Sequence, residues 1–108
     1  MFKLIRDNIP EIAKTQGAVL NYATAENDEF FHTLLRAKLV EEVNEYLASP
    51  NSLEELADIK LVLDYLIGDR ETDFQNIYTQ KRAEMGGFDR KYIGFFADSV
   101  EDPNAQSK

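Results

Sequence analysis

The sequence predicts an all-α protein, an antiparallel bundle of about four helices. Three observations carry this. Two long stretches place apolar residues at helical spacing, Phe31, Leu35, Leu39, Val43, Tyr46 and Leu47 in one and Ile59, Val62 and Leu66 in the other. Capping-box patterns, Ser52 with Glu55 and Thr72 with Gln75, mark helix starts, and Gly17, Gly68 and Gly86 mark helix ends. A single short break, Ser49-Pro50-Asn51-Ser52, separates the two long stretches and turns them into antiparallel neighbours.

The first helix spans about Pro10 to Gln16. Asp7 or Asn8 can cap it, Pro10 suits its first turn and Gly17 its end. Residues 18–24, AVLNYAT, read as a short strand. The second helix runs from about Asp28 to Ala48, the third from about Leu53 to Ile67, and the fourth from about Asp73 to Met85. Residues 88–96, FDRKYIGFF, read as extended and can pair with AVLNYAT as a minor two-stranded β ribbon. The expected organisation is one domain over 1–96 and a polar, flexible tail over 97–108. A chain of 108 residues is only modestly stable alone, so oligomerisation is expected.

Composition excludes several function classes. There is no cysteine, hence no disulfide framework and no thiolate metal site, which fits the cytoplasm. The opening MFKLIRDNIPE has no long apolar run and is read as neither signal peptide nor membrane anchor. A net charge of −8 opposes binding to a nucleic-acid backbone, where basic residues must replace counterions. It leaves room for a small phosphorylated ligand when a divalent cation mediates between anions.

The acids are where the pattern departs from a simple bundle. On the third helix Glu55, Asp58, Ile59, Val62 and Leu66 form one stripe, so two carboxylates share an apolar face. Burial of unpaired carboxylates is costly, and something must compensate. On the second helix Glu42 and Glu45 share a face close to the same turn, with Glu42 at the border of the apolar arc. Four clustered carboxylates repel unless a cation lies between them. Oxygen-only ligation, with no Cys or His, points to Mg²⁺, Mn²⁺ or Ca²⁺ rather than Zn²⁺. Glu55 has a competing role as a capping-box residue, whereas Glu41 and Glu54 read as solvated surface.

On the fourth helix Phe74, Ile77, Tyr78, Lys81 and Met85 follow the inward spacing, which turns Lys81 toward the core side with Arg82 beside it. Both can meet phosphate oxygens, Arg as a fork and Lys as a point charge. Lys3 and Arg6 are further, weaker phosphate-contact candidates. His32 reads as a packed or rim histidine. Gly86-Gly87 allows bare backbone to approach a phosphate, although helix termination accounts for Gly86.

Taken in order, KLIRDNIPE at residues 3–11, Glu41-Glu42-Val43-Asn44-Glu45, Glu55-Leu56-Ala57-Asp58 and KRAEMGGF at residues 81–88 resemble the MazG-like all-α nucleoside triphosphate pyrophosphatases. This superfamily includes phosphoribosyl-ATP pyrophosphohydrolase; the likeness is greater to a small single-domain branch. Asn8, Leu61 and Met85 depart from that branch, which has Lys, an acid and Arg there; Asn8 and Met85 remove positive charge. The resemblance implies Mg²⁺-dependent hydrolysis of a nucleoside triphosphate to monophosphate and pyrophosphate, with Mn²⁺ as a substitute, by bundles assembled as homodimers or homotetramers. It implies Glu42, Glu45, Glu55 and Asp58 as metal ligands and Lys81 and Arg82 as phosphate contacts. Glu45, the more exposed acid, is the candidate to orient the attacking water, with Lys81 or Arg82 stabilising the departing pyrophosphate. Two rival readings stand beside this one, a non-catalytic helical module sensing nucleotide or metal, and phosphoribosyl-ATP hydrolysis.

Overall fold

The computed structural model describes residues 2–96. The elements are α1 (Ile9–Thr15), α2 (Asp28–Ala48), α3 (Leu53–Ile67), a 3-10 turn over Gly68–Arg70, and α4 (Glu71–Met85). The chain divides into two compact units, Met1–Gly68 and Asp69–Lys108, within the span expected to form one domain. The expected polar tail, 97–108, lies outside the described residues.

Local chemistry accounts for the helix limits in the first unit. Helix α1 closes in a Schellman arrangement. The Ala18 amide donates to the Ala13 carbonyl at 2.9 Å and the Gly17 amide to the Lys14 carbonyl at 3.0 Å, with Gly17 at φ +76°. Asn8 occupies the N-cap position without a side-chain cap bond. Helix α2 starts where Asn27 Oδ1 accepts from the Phe30 amide at 2.8 Å. It stops before Pro50, and Asn51 takes the left-handed conformation, φ +70°, that the tight turn demands. Helix α3 starts where Ser52 Oγ accepts from the Glu55 amide at 3.3 Å.

Helices α2 and α3 pack against each other. Leu35 of α2 and Val62 of α3, 4% and 7% exposed, are the buried apolar residues among those described. Each such burial contributes about 1.5–3 kcal/mol. Half-buried Phe31, Leu34, Leu39, Tyr46, Ile59, Leu61 and Leu66 surround them. The stripe read from α3, Glu55-Asp58-Ile59-Val62-Leu66, is the buried or half-buried face of that helix. On α2 the buried stripe follows Phe31, Leu35, Lys38, Leu39, Glu42 and Tyr46 instead. Val43 and Leu47, expected on that face, are exposed.

Three expectations need correction. Among the described residues the bundle of about four helices becomes three helices of at least fifteen residues plus the seven-residue α1, with α2 and α3 as the packed pair of the first unit. Two turns of helix carry too few side chains to present a full apolar face. The β ribbon does not form; no strand occurs among the described residues, and Val19, Tyr22, Phe88, Tyr92 and Phe95 are largely exposed. A two-stranded ribbon without a packed face is marginal. The Thr72–Gln75 box is also absent. Helix α4 starts at Glu71, so Thr72 lies inside it, and Gln75 Nε2 donates to Glu71 Oε1 at 3.0 Å. The 3-10 turn leads the chain straight into α4 and leaves no extended N-cap for Thr72 to occupy.

Candidate metal centre

Glu42, Glu45 and Glu55 each bring one carboxylate oxygen to within 4.8 Å of the others, close enough to hold one metal ion. Helical spacing sets Glu42 and Glu45 on one face, three residues apart. The four-residue turn returns the chain so that Glu55, in the first turn of α3, meets them. Glu45 is exposed, Glu55 half-buried, and Glu42 only 7% exposed. The last turn of α2 contains no basic residue, so its carbonyl ends add to the negative potential there.

Glu55 is free of the capping role that competed for it. Ser52 accepts from the Glu55 amide, but the Ser52 amide donates to the Ser49 carbonyl at 3.3 Å rather than to the Glu55 side chain. One oxygen of Glu42 and one of Glu55, both Oε2, are buried with no hydrogen-bond partner. Buried carboxylate oxygens ordinarily find a donor, and their crowding shows in their proton affinity. Burial pushes the Glu42 carboxyl up, Glu45 and Asp58 push it further, and Lys38 opposes them. Glu55 is raised by desolvation first and by Glu45 and Asp58 next. Glu41 goes the other way, lowered by the hydrogen bonds that Lys38 and Lys3 donate to it.

Asp58 lies outside the trio, and its Oδ1 accepts from Arg6 Nη1 at 3.2 Å. Lys3 donates to Glu41 Oε1 at 3.2 Å. Thus the two basic residues of the N-terminal segment are placed against carboxylates of α2 and α3. Phe2 also packs edge-on to Phe30, with ring centroids 6.3 Å apart. Beneath the segment lies a cavity of about 620 Å³, its lining including Phe31, Leu35, Val62 and Tyr65 with Arg6, Lys38, Glu42 and Asp58. Apolar walls with a few convergent charged groups are the usual character of a small-molecule site.

Lys38 escaped the sequence reading. Its Nζ lies 3.1 Å from Glu41 Oε2 and 3.6 Å from Glu42 Oε1, and its side chain is 16% exposed. The signal was available in the spacing Lys38-x-x-Glu41-Glu42, which sets a cation one turn before two acids. His32 is a rim residue whose Nδ1 donates to the Asp28 carbonyl at 2.8 Å. Lys81 and Arg82 belong to the second unit, where Lys81 is half-buried and Arg82 exposed. The Arg82 guanidinium covers Gly87, where an added Cβ would sit 3.0 Å from Nη1.

No helix among the described residues is long and apolar enough to cross a membrane. The chain matches no protein-family model, no curated protein and no solved structure.

Proposed function

We propose that this chain is a Mg²⁺-dependent nucleoside triphosphate pyrophosphohydrolase that releases a nucleoside monophosphate and pyrophosphate, in a house-cleaning role toward non-canonical nucleotides in the cytoplasm. The observation that carries the reading is Glu42, nine-tenths buried, with an unpartnered oxygen beside the carboxylates of Glu45 and Glu55. The donor set is all oxygen, which suits Mg²⁺ or Mn²⁺. The adjoining cavity and the ordered motifs at residues 3–11, 41–45, 55–58 and 81–88 add to it.

Glu42, Glu45 and Glu55 would surround the cation, with Glu42 and Glu55 as its direct ligands. When bound, the cation neutralises phosphate charge and lowers the cost of attack at phosphorus. Glu45, the exposed member of the trio, is the one we assign to orienting water and accepting its proton in place of direct ligation. The cavity reaches the trio through Glu42, beside apolar Leu35 and Val62 in its wall. By resemblance alone, Lys81 and Arg82 are assigned to the departing pyrophosphate. Association into homodimers or homotetramers is part of the same proposal. Val40, Leu47 and Leu53, 61%, 65% and 80% exposed on α2 and α3, supply apolar surface for it.

The test is product analysis. Canonical, deoxy and damaged triphosphates are incubated with Mg²⁺, and monophosphate, pyrophosphate and orthophosphate are separated chromatographically. Equal yields of monophosphate and pyrophosphate are expected. Diphosphate with orthophosphate overturns the mechanism. Cation binding with no turnover across the panel turns the reading toward a non-catalytic sensing module.

A further inference from the structure

Asp58 follows Glu55 by three residues, so both carboxylates lie on one face of α3. Its negative charge is felt at both Glu42 and Glu55. Yet Asp58 is not part of the trio, and its Oδ1 accepts instead from Arg6, on a segment 52 residues earlier. The pair is a single contact of 3.2 Å between side chains 61% and 36% exposed. An ion pair this open to solvent is weak and readily exchanged. Arg6, Asp58 and Glu42 also line the same cavity. A guanidinium there has two matching partners, the Asp58 carboxylate and any phosphate oxygens that enter.

We propose that Arg6 is a positioning residue, which latches Asp58 in the cation-free chain and on release lets Asp58 join Glu42, Glu45 and Glu55 around a divalent cation. This rests on the reading of the trio as a metal site. The latch explains why the fourth of these acids is near the others without joining them. It also couples the two ligands, because a phosphate that draws Arg6 away frees a carboxylate for the cation. The N-terminal segment thereby acts on the centre through one side chain.

The test is Mn²⁺ binding to the full chain without nucleotide, by calorimetry and by the Mn²⁺ paramagnetic resonance signal. The variants are Arg6→Gln, Arg6→Lys, Asp58→Asn, the Arg6→Gln/Asp58→Asn double variant and Glu42→Gln. Arg6→Gln is expected to bind Mn²⁺ about threefold more tightly than the parent, in keeping with the release of a weak, solvent-exposed ion pair. Arg6→Lys should stay close to the parent, and Asp58→Asn in the parent background should change affinity about twofold or less. In the Arg6→Gln background, Asp58→Asn should abolish the gain. An equal gain from Arg6→Gln with and without Asp58 overturns the latch, because Arg6 would then act through its charge alone. Absence of any gain overturns it too. If parent and Glu42→Gln bind Mn²⁺ equally poorly, the metal-site reading falls, and the latch with it. Arg6 is exposed, so melting curves of its variants should match the parent and exclude unfolding as the cause.

Discussion

Lys38 Nζ stands 3.6 Å from Glu42 Oε1, and the other oxygen of Glu42 is buried with no hydrogen-bond partner. The charge of Glu42 is therefore half answered from its own helix, and the unanswered oxygen belongs to the residue that anchors the acidic trio. Such a group destabilises the cation-free fold and favours whatever neutralises it.

Glu42→Gln should make this balance visible. It keeps the shape of the side chain and removes one of the crowded charges. The cation-free variant is expected to melt at or above the temperature of the parent, and the Mg²⁺-induced rise in melting temperature should largely vanish. A variant less stable than the parent, with the Mg²⁺ response intact, would place Glu42 in the scaffold.

The pH dependence has a definite sign. Glu42 and Glu55 have folded-state pKa values raised above the ordinary 4.5, so their protonation favours folding. Their contribution is full below the unfolded value and is lost as pH rises through the folded one. Glu41, lowered by Lys38 and Lys3, acts oppositely; its contribution is present above 4.5 and is lost as pH falls through the folded value. Cation-free melting temperature should accordingly rise as pH falls toward 4.5 through the raised values of Glu42 and Glu55, and fall again in stronger acid as Glu41 protonates. Saturating Mg²⁺ should flatten or reverse the first limb, because bound cation favours the ionised carboxylates. Calorimetry across this range, with and without Mg²⁺, checks both limbs.

Lys38→Met retains the apolar stem and removes the ammonium. It leaves the Glu42 carboxylate without its cation, at an expected loss of about 1–3 kcal/mol in cation-free stability. Combining it with Glu42→Gln should cost less than the sum of the two changes, since the residues are in contact. Urea unfolding of the four proteins in the cycle measures the coupling, and strict additivity would show that the ion pair contributes nothing.

Leu35→Ala probes the packing of the hairpin. Leu35 is 4% exposed on α2, which packs against α3, so its truncation should destabilise by about 2–5 kcal/mol. The same change at exposed Val40 should move stability by less than about 0.5 kcal/mol in the monomer. Urea unfolding of both variants at low protein concentration provides the comparison.

The long helices and the hairpin were legible in the residues. Asn27 lay just before the expected start of α2, Ser52 with Glu55 announced α3, and Pro50 with Asn51 ended one helix and turned the chain. These are local devices, each acting within four residues, so the linear order contains them. The α3 stripe was legible for the same reason, and with it the conflict of two acids on an apolar face. The start of α4 was not, because Thr72-x-x-Gln75 has the letters of a cap but the preceding 3-10 turn already drives the chain helical.

What the sequence by itself determined, then, was the helix periodicity, most of the caps and the presence of four acids near one turn, with Glu55 and Asp58 inward, Glu42 at the border and Glu45 further out. Tertiary structure alone decided which of them meet. Glu42, Glu45 and Glu55 converge because a four-residue turn sets two helices face to face, and Asp58 pairs with Arg6 from 52 residues away. Helical spacing fixes where a side chain lies around one axis. The partner it finds depends on packing between segments distant in the chain, and on the competition among charges that such packing brings within a few ångströms.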